Sequence, residues 1–415
     1  MSNQINSTLG DLVKAGGGII HTGPFGSQLH AEDYVAQGIP CIMPANMRDN
    51  RVDLSNISFI SDEDAQRLSK YLVKEGDIVY SRRGNVTLKA LIRKNEAGYF
   101  CGTGCLLLRP GNLLDSDYLT YYLSTPKIQS WIISQAIGAT MPNLNTGILS
   151  RIPFSGPEKS VQKKISSALR AIDDKLEINN RINAELEAMA KTLYDYWFVQ
   201  FDFPDANGKP YKTSGGKMEY NTTLKREIPA GWAVNTLSQI ANITMGQSPA
   251  GESYNEDGIG TLFFQGSTDF GWLFPTPRQY TTSPARMAKK GDILLSVRAP
   301  VGDMNIANAD CCIGRGLAAL NSKSSSDGFL FYVMKYFKQV FDRRNAEGTT
   351  FGSMTKDDLH SLQVVCPEPG LLKRYDDIVS EYNKMIFTRS LENQDLTKLR
   401  DWLLPLLMNG QITVK

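Results

Sequence analysis

The stretch Gly76-Asp-Ile-Val-Tyr-Ser-Arg-Arg-Gly84, "GDIVYSRRG", recurs later in the chain as "GDILLSVRAPVG", from Gly291 to Gly302. In both copies a Gly-Asp turn leads into a short apolar strand that ends in serine and is followed closely by arginine. A single match of this length arises easily by chance. The neighbouring sequence therefore decides whether the chain is duplicated.

Three more pairs of matching segments occur in the same order in the two halves of the chain. "GIPCIMPANM" from Gly38 corresponds to "GIGTLFFQGS" from Gly258, a glycine turn and an apolar strand that ends in amide or hydroxyl side chains. "DYLTYYLSTPKIQSWI" from Asp117 corresponds to "GFLFYVMKYFKQVF" from Gly328, and both have the apolar spacing of an amphipathic helix. The third pair is "GATMPNLN" and "GTTFGSMT". Matches in one order, with similar gaps, predict a globular unit of strands and helices that occurs twice.

Each half closes with a segment whose apolar residues are spaced alternately by three and four, as in a coiled coil flanked by charged residues. Polar residues interrupt both rows, around Asn179 and Arg389, and one buried polar residue can fix the register of such a pair. Pro405 should stop or kink the second helix near its end. The residues predicted at the coiled-coil or subunit interface are Ile172, Leu176, Ile182, Leu186, Met189, Leu193, Tyr382, Met385, Leu396, Leu399 and Leu403.

Length and composition set the outer limits. A chain of 415 residues is too long for one ordinary core, so two or more domains are expected. The net charge of +2 does not by itself indicate a nucleic-acid partner, so a prediction of nucleic-acid binding would have to rest on local basic patches. No apolar run reaches the roughly 18 residues that span a bilayer, and no secretory signal is visible, so we expect a cytoplasmic protein. The six cysteines lack zinc-ribbon spacing, which favours buried free thiols over a metal site.

The sequence lacks the common catalytic motifs. It has no phosphate-binding loop, dinucleotide fingerprint, HExxH or GxSxG motif, and none of the tetrapeptides of amino-methyltransferases. Together with the duplicated architecture, this favours a binding protein with no catalytic residues, metal or cofactor of its own. A methyltransferase with an unrecognised site remains an alternative.

Two similar domains suit a ligand with two similar sites, and duplex DNA is the commonest such ligand. Arg82, Arg83 and Arg298 stand where a strand enters a loop that contains glycine or proline. Arginine is the usual bidentate partner of guanine in the major groove. Surface ion pairs would explain any one arginine, but the recurrence at matched positions 83 and 298 supports a role in DNA binding.

The paired loops fit the same interpretation. Thr355 and Asp358 predict a capping box at a helix N-terminus, and Asn145 can cap the corresponding helix in the first copy. Polar side chains at such a terminus attract phosphate, although a plain capped turn would explain the threonines equally well. The complete set of candidate DNA-binding residues is Arg82, Arg83, Asn85, Thr140, Asn143, Asn145, Gln265, Arg298, Thr349, Thr350, Ser353 and Lys356.

The centre of the chain, "FDFPDANGKPYKTSGGKMEYNTTLKREIPAGW" from Phe201 to Trp232, is rich in turn residues and lacks a helical or strand period. It is predicted to be an ordered connector. This segment, the two "GDI" units and the two long helices together resemble the specificity subunit of type I restriction-modification enzymes. The resemblance covers nearly the whole chain, and the central segment is its most specific part.

The resemblance implies an α+β fold with two similar target recognition domains, each reading one half of a split, asymmetric DNA sequence. The two long helices would separate them and pack as an antiparallel coiled coil, giving a pseudo-twofold internal repeat. The implied domains are recognition domains at 1–157 and 233–367, helices at 158–200 and 368–409, and the connector at 201–232.

The resemblance also implies partners. Two modification subunits would dock on the helices and methylate adenine with S-adenosylmethionine, and two restriction subunits would add translocation and cleavage that depend on ATP and Mg²⁺. None of this catalysis would reside in the present chain. A stand-alone two-domain DNA-binding or anti-restriction protein is the main alternative.

Overall fold

The computed structural model describes residues 4–136, 142–346 and 353–414. The chain forms two compact units: unit 1 comprises residues 1–176 and 395–415, and unit 2 comprises residues 177–394. The first long helix, Lys159–Tyr194, and the second, Pro369–Met408, each contribute residues to both units. The globular part of unit 1 is called the first repeat below, and that of unit 2 the second repeat.

The first repeat contains two four-stranded sheets. The central sheet has the order Ile19–Thr22, Cys105–Arg109, Ile78–Ser81, Lys89–Leu91, with antiparallel neighbours throughout. The second sheet has the order Phe100–Cys101, Ile39–Ile42, Ser58–Ile60, Tyr34–Val35. Smaller pairs join Ile5–Thr8 to Pro153–Gly156 and Met47–Arg48 to Arg51–Val52. The helices are Leu9–Ala15, Asp62–Arg67, Ser116–Tyr122, Pro126–Gln135 and Thr146–Ser150.

The strand of the opening motif is buried at all four of its positions. Ile78 and Tyr80 point into one apolar core of unit 1, whereas Val79 points into the other. Because side chains alternate between the faces of a strand, a strand covered on both faces is apolar at most of its positions. This explains the unbroken apolar run of the motif.

The second repeat has the same architecture, which confirms the duplication. Its central sheet has the order Ala241–Met245, Leu317–Ser322, Ile293–Ser296, Met304–Ile306. Its other sheet has the order Tyr254–Asn255, Gln279–Thr281, Thr261–Phe264, Cys311–Ile313, Met287–Ala288, and Ala233–Thr236 pairs with Gln363–Cys366. The helices are Leu237–Ile240, Asp327–Ala346 and Lys356–His360.

The amphipathic segment of the first repeat is two helices rather than one. Ser116–Tyr122 ends before Pro126, and a second helix runs from Pro126 to Gln135. Thr125 is extended, with φ −64° and ψ 141°, as expected for a residue that precedes proline. The second repeat has no proline at this place and forms the single helix Asp327–Ala346.

The connector contains a hairpin, although its sequence shows no strand period. Met218–Asn221 pairs with Arg226–Pro229 in antiparallel register. The Asn221 side-chain carbonyl accepts hydrogen bonds from the amides of Thr223 (3.1 Å) and Leu224 (3.0 Å), which builds the turn. Most of the strand positions are at least partly exposed, and this conceals the period of two on which the sequence prediction relied.

The two long helices pack against each other with opposite direction. In unit 2 the Asn179 amide donates to Asn393 Oδ1 (2.9 Å), and the Asn183 amide donates to Ser390 Oγ (3.4 Å). Residue numbers therefore rise along one helix as they fall along the other. Asn179 and Asn183 are each 1 % exposed, so the polar interruption predicted around Asn179 lies inside the helix pair. Arg389 instead bonds the Met385 carbonyl of its own helix.

Not every predicted interface residue lies between the helices. Met189, Met385 and Leu399 are 52 %, 36 % and 42 % exposed, so within this chain they lie outside the packed seam. Polar residues occupy the middle of the contact between the two helices instead. Of the remaining predicted residues, Leu186 is buried, and Ile172, Leu176, Ile182, Leu193, Tyr382, Leu396 and Leu403 are partly buried.

The second long helix does not stop at Pro405. It continues to Met408, and the buried side chains of Leu407 and Met408 belong to a core of unit 1. Burial of this last turn outweighs the hydrogen bond that proline cannot make. Within the described residues, no helix is both long enough and apolar enough to cross a membrane.

Candidate nucleic-acid interface

The loop after the opening strand is fixed by backbone contacts on two sides. Arg82 N donates to Gly104 O (2.8 Å), and Arg82 O accepts from Leu144 N (2.8 Å). Arg83 forms an isolated antiparallel bridge with Asn143. The arginine loop and the paired polar loop, which are about 60 residues apart in sequence, therefore lie side by side.

The second repeat builds the same junction. Val297 N donates to Gly316 O (2.9 Å), Val297 O accepts from Met354 N (2.8 Å), and Arg298 bridges to Ser353. Val297 therefore takes the place of Arg82.

A serine fixes the loop in each repeat. Ser81 Oγ donates to the Arg83 carbonyl (3.0 Å), and Ser296 Oγ donates to the Arg298 carbonyl (2.8 Å). Arg83 and Arg298 are therefore equivalent in structure as well as in sequence.

The predicted helix caps are confirmed. Asn145 Oδ1 accepts from Ile148 N (2.8 Å), and Thr355 Oγ1 accepts from Asp358 N (3.2 Å). The Asp358 carboxylate accepts from Thr355 in return, and this side-chain bond is the main cause that lowers the pKa of Asp358. The helices they cap have five residues each. Because these side-chain oxygens already serve as caps, they are poorly placed to give DNA a further contact.

The remaining candidates differ in accessibility. Arg83, Asn85, Arg298, Ser353 and Lys356 are exposed. None of the ion pairs formed among the described residues involves Arg82, Arg83 or Arg298, so the competing interpretation as surface ion pairs gains no support.

Two side chains near the loop of the first repeat have internal roles. Asn85 Oδ1 accepts from Thr87 N (3.1 Å) and Thr87 Oγ1 (2.7 Å), as in an Asx turn. Asn143 Oδ1 is buried and has no hydrogen-bond partner among the described residues. Thr140, Thr349 and Thr350 lie outside the described residues.

A cleft of about 570 Å³ opens beside the arginine loop of the first repeat. Its lining includes Arg82 and Arg83 together with Phe25, His30 and Thr103. The guanidinium carbon of Arg82 lies 5.6 Å from the centroid of the Phe25 ring, within range of a cation–π interaction. Phe25 is 52 % exposed, so an aromatic face and hydrogen-bond donors meet at one accessible place.

At the corresponding place in the second repeat, the exposed Gln265 side chain exchanges hydrogen bonds with Ser248 Oγ (2.9–3.1 Å). Ser248 Oγ also accepts from the amide of Arg315 (3.3 Å), whose side chain is exposed. Sequence analysis missed both Arg315 and Phe25. The matched turns "GTG" at 102–104 and "GRG" at 314–316 are the signal that could have identified Arg315.

The arrangement is suited to binding and positioning. Exposed arginines present several N–H donors in a planar fork, which matches the acceptor edge of guanine or a phosphate. Among the described residues, no three His, Cys, Asp or Glu side chains gather into a group that could hold a metal ion.

Comparison with known proteins agrees with this geometry. Residues 4–188 and 229–371 match the family described as "Type I restriction modification DNA specificity domain". The chain is 30 % identical over 389 residues to a Methanocaldococcus jannaschii protein assigned as the specificity subunit of the type I restriction enzyme MjaX, covering 91 % of this chain and 88 % of that protein. It is 23 % identical to the HindI specificity subunit of Haemophilus influenzae, covering 89 % and 94 %.

A solved structure supports the fold. The crystal structure of the type I restriction-modification S subunit from M. genitalium aligns over 98 % of this chain and 96 % of its own, with a TM-score of 0.59 and 18 % identity. The duplicated junction is thus found in a chain that matches the specificity domain twice. The chain belongs to the specificity subunits of type I restriction-modification enzymes and carries two DNA specificity domains, as recognition of a two-part DNA target requires.

Proposed function

We propose that this chain is the non-catalytic recognition subunit of a complex with two modification subunits and two restriction subunits. In this proposal the modification subunits methylate adenine at N6 with S-adenosylmethionine. The restriction subunits use ATP and Mg²⁺ to translocate and cleave DNA. The chain itself binds none of these cofactors, and the complex works in the cytoplasm.

The proposal assigns DNA contact to the loop junction of each repeat. The exposed Arg83 and Arg298 stand at equivalent junctions, each beside a polar residue of the adjoining loop. Arginine side chains that are free of carboxylate partners in the described part of the chain can turn to DNA without first breaking an ion pair.

The proposed number of two modification subunits rests on a pair of exposed apolar residues, one on each long helix. When the helices are aligned on the Pro-Glu dipeptide before each, the buried Leu169 corresponds to the buried Val379, and Met189 corresponds to Leu399. Met189 and Leu399 are 52 % and 42 % exposed. One exposed apolar side chain is ordinary, but exposure at equivalent positions supports two equal docking surfaces, one for each modification subunit.

The mass of the assembled complex tests this proposal. Native mass spectrometry of the chain, purified together with its modification subunits, should show two copies of the modification subunit. Met189→Glu and Leu399→Glu should each remove one copy, and the double variant should remove both, because burying an unpaired carboxylate is costly. Ala184→Glu is the matched control, because Ala184 is exposed on another side of the first long helix, and should keep both copies.

Any of three outcomes would contradict the proposal. If either single variant removed both copies, or if neither removed any, these residues would not mark two independent docking surfaces. Transfer of labelled methyl groups to DNA by the rigorously purified chain alone would show that the chain is itself a methyltransferase.

A further inference from the structure

Each repeat has two arginines near the place where its arginine loop meets its polar loop. Only one of the two has an equivalent arginine in the other repeat, and it is called shared below. Arg83 and Arg298 are equivalent, since the same serine contact holds their carbonyls. Each repeat then adds an arginine that the other repeat lacks. These private arginines are Arg82 in the first repeat and Arg315 in the second.

Backbone contacts establish what replaces each private arginine. Arg82 and Val297 make the same pair of backbone hydrogen bonds, and Val297 is buried. Arg315 lies between two glycines of a turn whose counterpart in the first repeat carries Thr103 between two glycines. The turns are equivalent because Gly102 N donates to Ile42 O (2.9 Å) and Gly314 N donates to Phe264 O (2.8 Å) at matching strand ends.

We propose that the private arginines Arg82 and Arg315 read guanine in their own half-sites, whereas the shared arginines Arg83 and Arg298 contact the DNA backbone. The assignment rests on the DNA recognition proposed above. The two halves of an asymmetric target have the same sugar-phosphate backbone and different bases. A group found at the same place in both repeats fits the common feature, and a group found in only one repeat fits the feature that differs.

Both the backbone and the side chain of Arg82 are restrained, as a directional contact with a base edge requires. Its backbone is bonded on both sides, and the Phe25 ring restrains its guanidinium group. Phe25 belongs to a segment that is longer in the first repeat than in the second: ten residues separate Gly23 from Tyr34, whereas seven separate Gly246 from Tyr254.

The Arg82 Nε is buried without a partner among the described residues, and Arg82 lines the cleft. A planar fork with restricted freedom suits the bidentate contact to guanine O6 and N7. Phe25 is therefore a positioning residue for Arg82.

Arg315 reaches the corresponding place in the second repeat from a different strand end. Its amide is tied to Ser248 Oγ, which also bonds Gln265. The Arg315 side chain is exposed and takes part in no ion pair among the described residues. Each repeat thus positions one private arginine beside its shared one, but on a different loop.

Selection from a randomised DNA pool tests the assignment. The full-length chain, assembled with its modification subunits, is incubated with duplexes randomised over the target length, and the bound DNA is sequenced. Arg82→Ala should lower the preference for guanine at one position of one block by roughly ten-fold or more, leaving the other block unchanged. Arg315→Ala should do the same in the other block. Arg83→Ala and Arg298→Ala should weaken all sequences alike and reduce the salt dependence of binding.

Internal controls separate a contact from a folding defect. The block read by the unaltered repeat reports folded protein in the same sample. Arg82→Lys keeps the charge but should still lose the guanine preference. Phe25→Leu should reduce that preference without removing it, and Phe25→Tyr should restore it, because the aromatic face returns.

Either of two results would overturn the inference. One is that Arg82→Ala weakens all sequences alike, as a backbone contact would. The other is that Arg83→Ala removes a base preference while Arg82→Ala removes none. If the unaltered complex selected no sequence at all, DNA recognition itself would fail, and this inference would fail with it.

Discussion

At the scale of single residues, the two repeats keep one backbone and change the chemistry carried on it. In the central sheet of the first repeat Tyr80 is paired with Lys89, and at the equivalent place in the second repeat Leu295 is paired with Met304. Lys89 is 3 % exposed, and its amino group lies 5.9 Å from the centroid of the Tyr80 ring. Burial lowers the pKa of Lys89 to about 7.

This buried lysine should make the stability of unit 1 depend on pH. An unfolded lysine keeps its proton up to its ordinary pKa, whereas folded Lys89 loses its proton near pH 7. Between those values the unfolded state binds more protons, so the free energy of unfolding rises with pH. Lys89→Met, which copies the second repeat, should remove this rise and stabilise the protein at neutral pH.

Urea denaturation of the wild-type chain and of Lys89→Met at several values between pH 6.5 and 9.5 checks this prediction. Lys74→Met, at an exposed lysine of the same repeat, is the control and should follow the wild type. Parallel pH dependence in the wild type and Lys89→Met would show that Lys89 keeps its proton in the folded state.

At the scale of elements, periodicity predicted the amphipathic helices and the buried strands but not their interruptions. The break at Pro126 follows from a single residue inside an otherwise helical pattern. Periodicity did not predict the hairpin of the connector, because its strands are largely exposed. The polar interruption around Asn179 was visible in the sequence, but its partners on the other helix could only be seen once the helices were paired.

The two buried asparagines of the helix pair should respond in opposite ways to leucine. The Asn179 amide donates to Glu392 (2.8 Å) and Asn393 (2.9 Å), and hydrogen bonds to charged groups stabilise by about 1.5–3 kcal/mol. Asn183 makes only one long bond, to Ser390, and the Oδ1 atoms of both asparagines have no partner among the described residues. Asn179→Leu should therefore lower the free energy of unfolding by about 2 kcal/mol, whereas Asn183→Leu should be neutral or raise it by up to about 1 kcal/mol.

Equilibrium unfolding monitored by helical circular dichroism distinguishes the two variants, and each serves as the other's control because both replace a buried asparagine of one helix. Equal losses in the two variants would mean that the size of leucine, rather than the hydrogen bonds of Asn179, determines the outcome.

At the scale of the whole molecule, internal repetition predicted most of the architecture. The central sheets of the two repeats have equivalent strand orders, and the junction of arginine loop and polar loop occurs in both. The candidate contacts were harder to predict, because recognition of different half-sites requires the repeats to differ. Matching identical residues therefore identified Arg83 and Arg298. It missed Arg315, whose counterpart is Thr103, and Phe25, which lies in a segment of different length in the two repeats.

The central claim is that each repeat reads its own half of a two-part target. The most direct measurement is the sequence selected from a randomised duplex pool by the wild-type complex and by a chimaera in which residues 233–367 come from another family member. We predict two short defined blocks at a fixed separation for the wild type, with one block retained and the other replaced in the chimaera. A single continuous block in the wild type, or a chimaera in which both blocks change, would contradict the account.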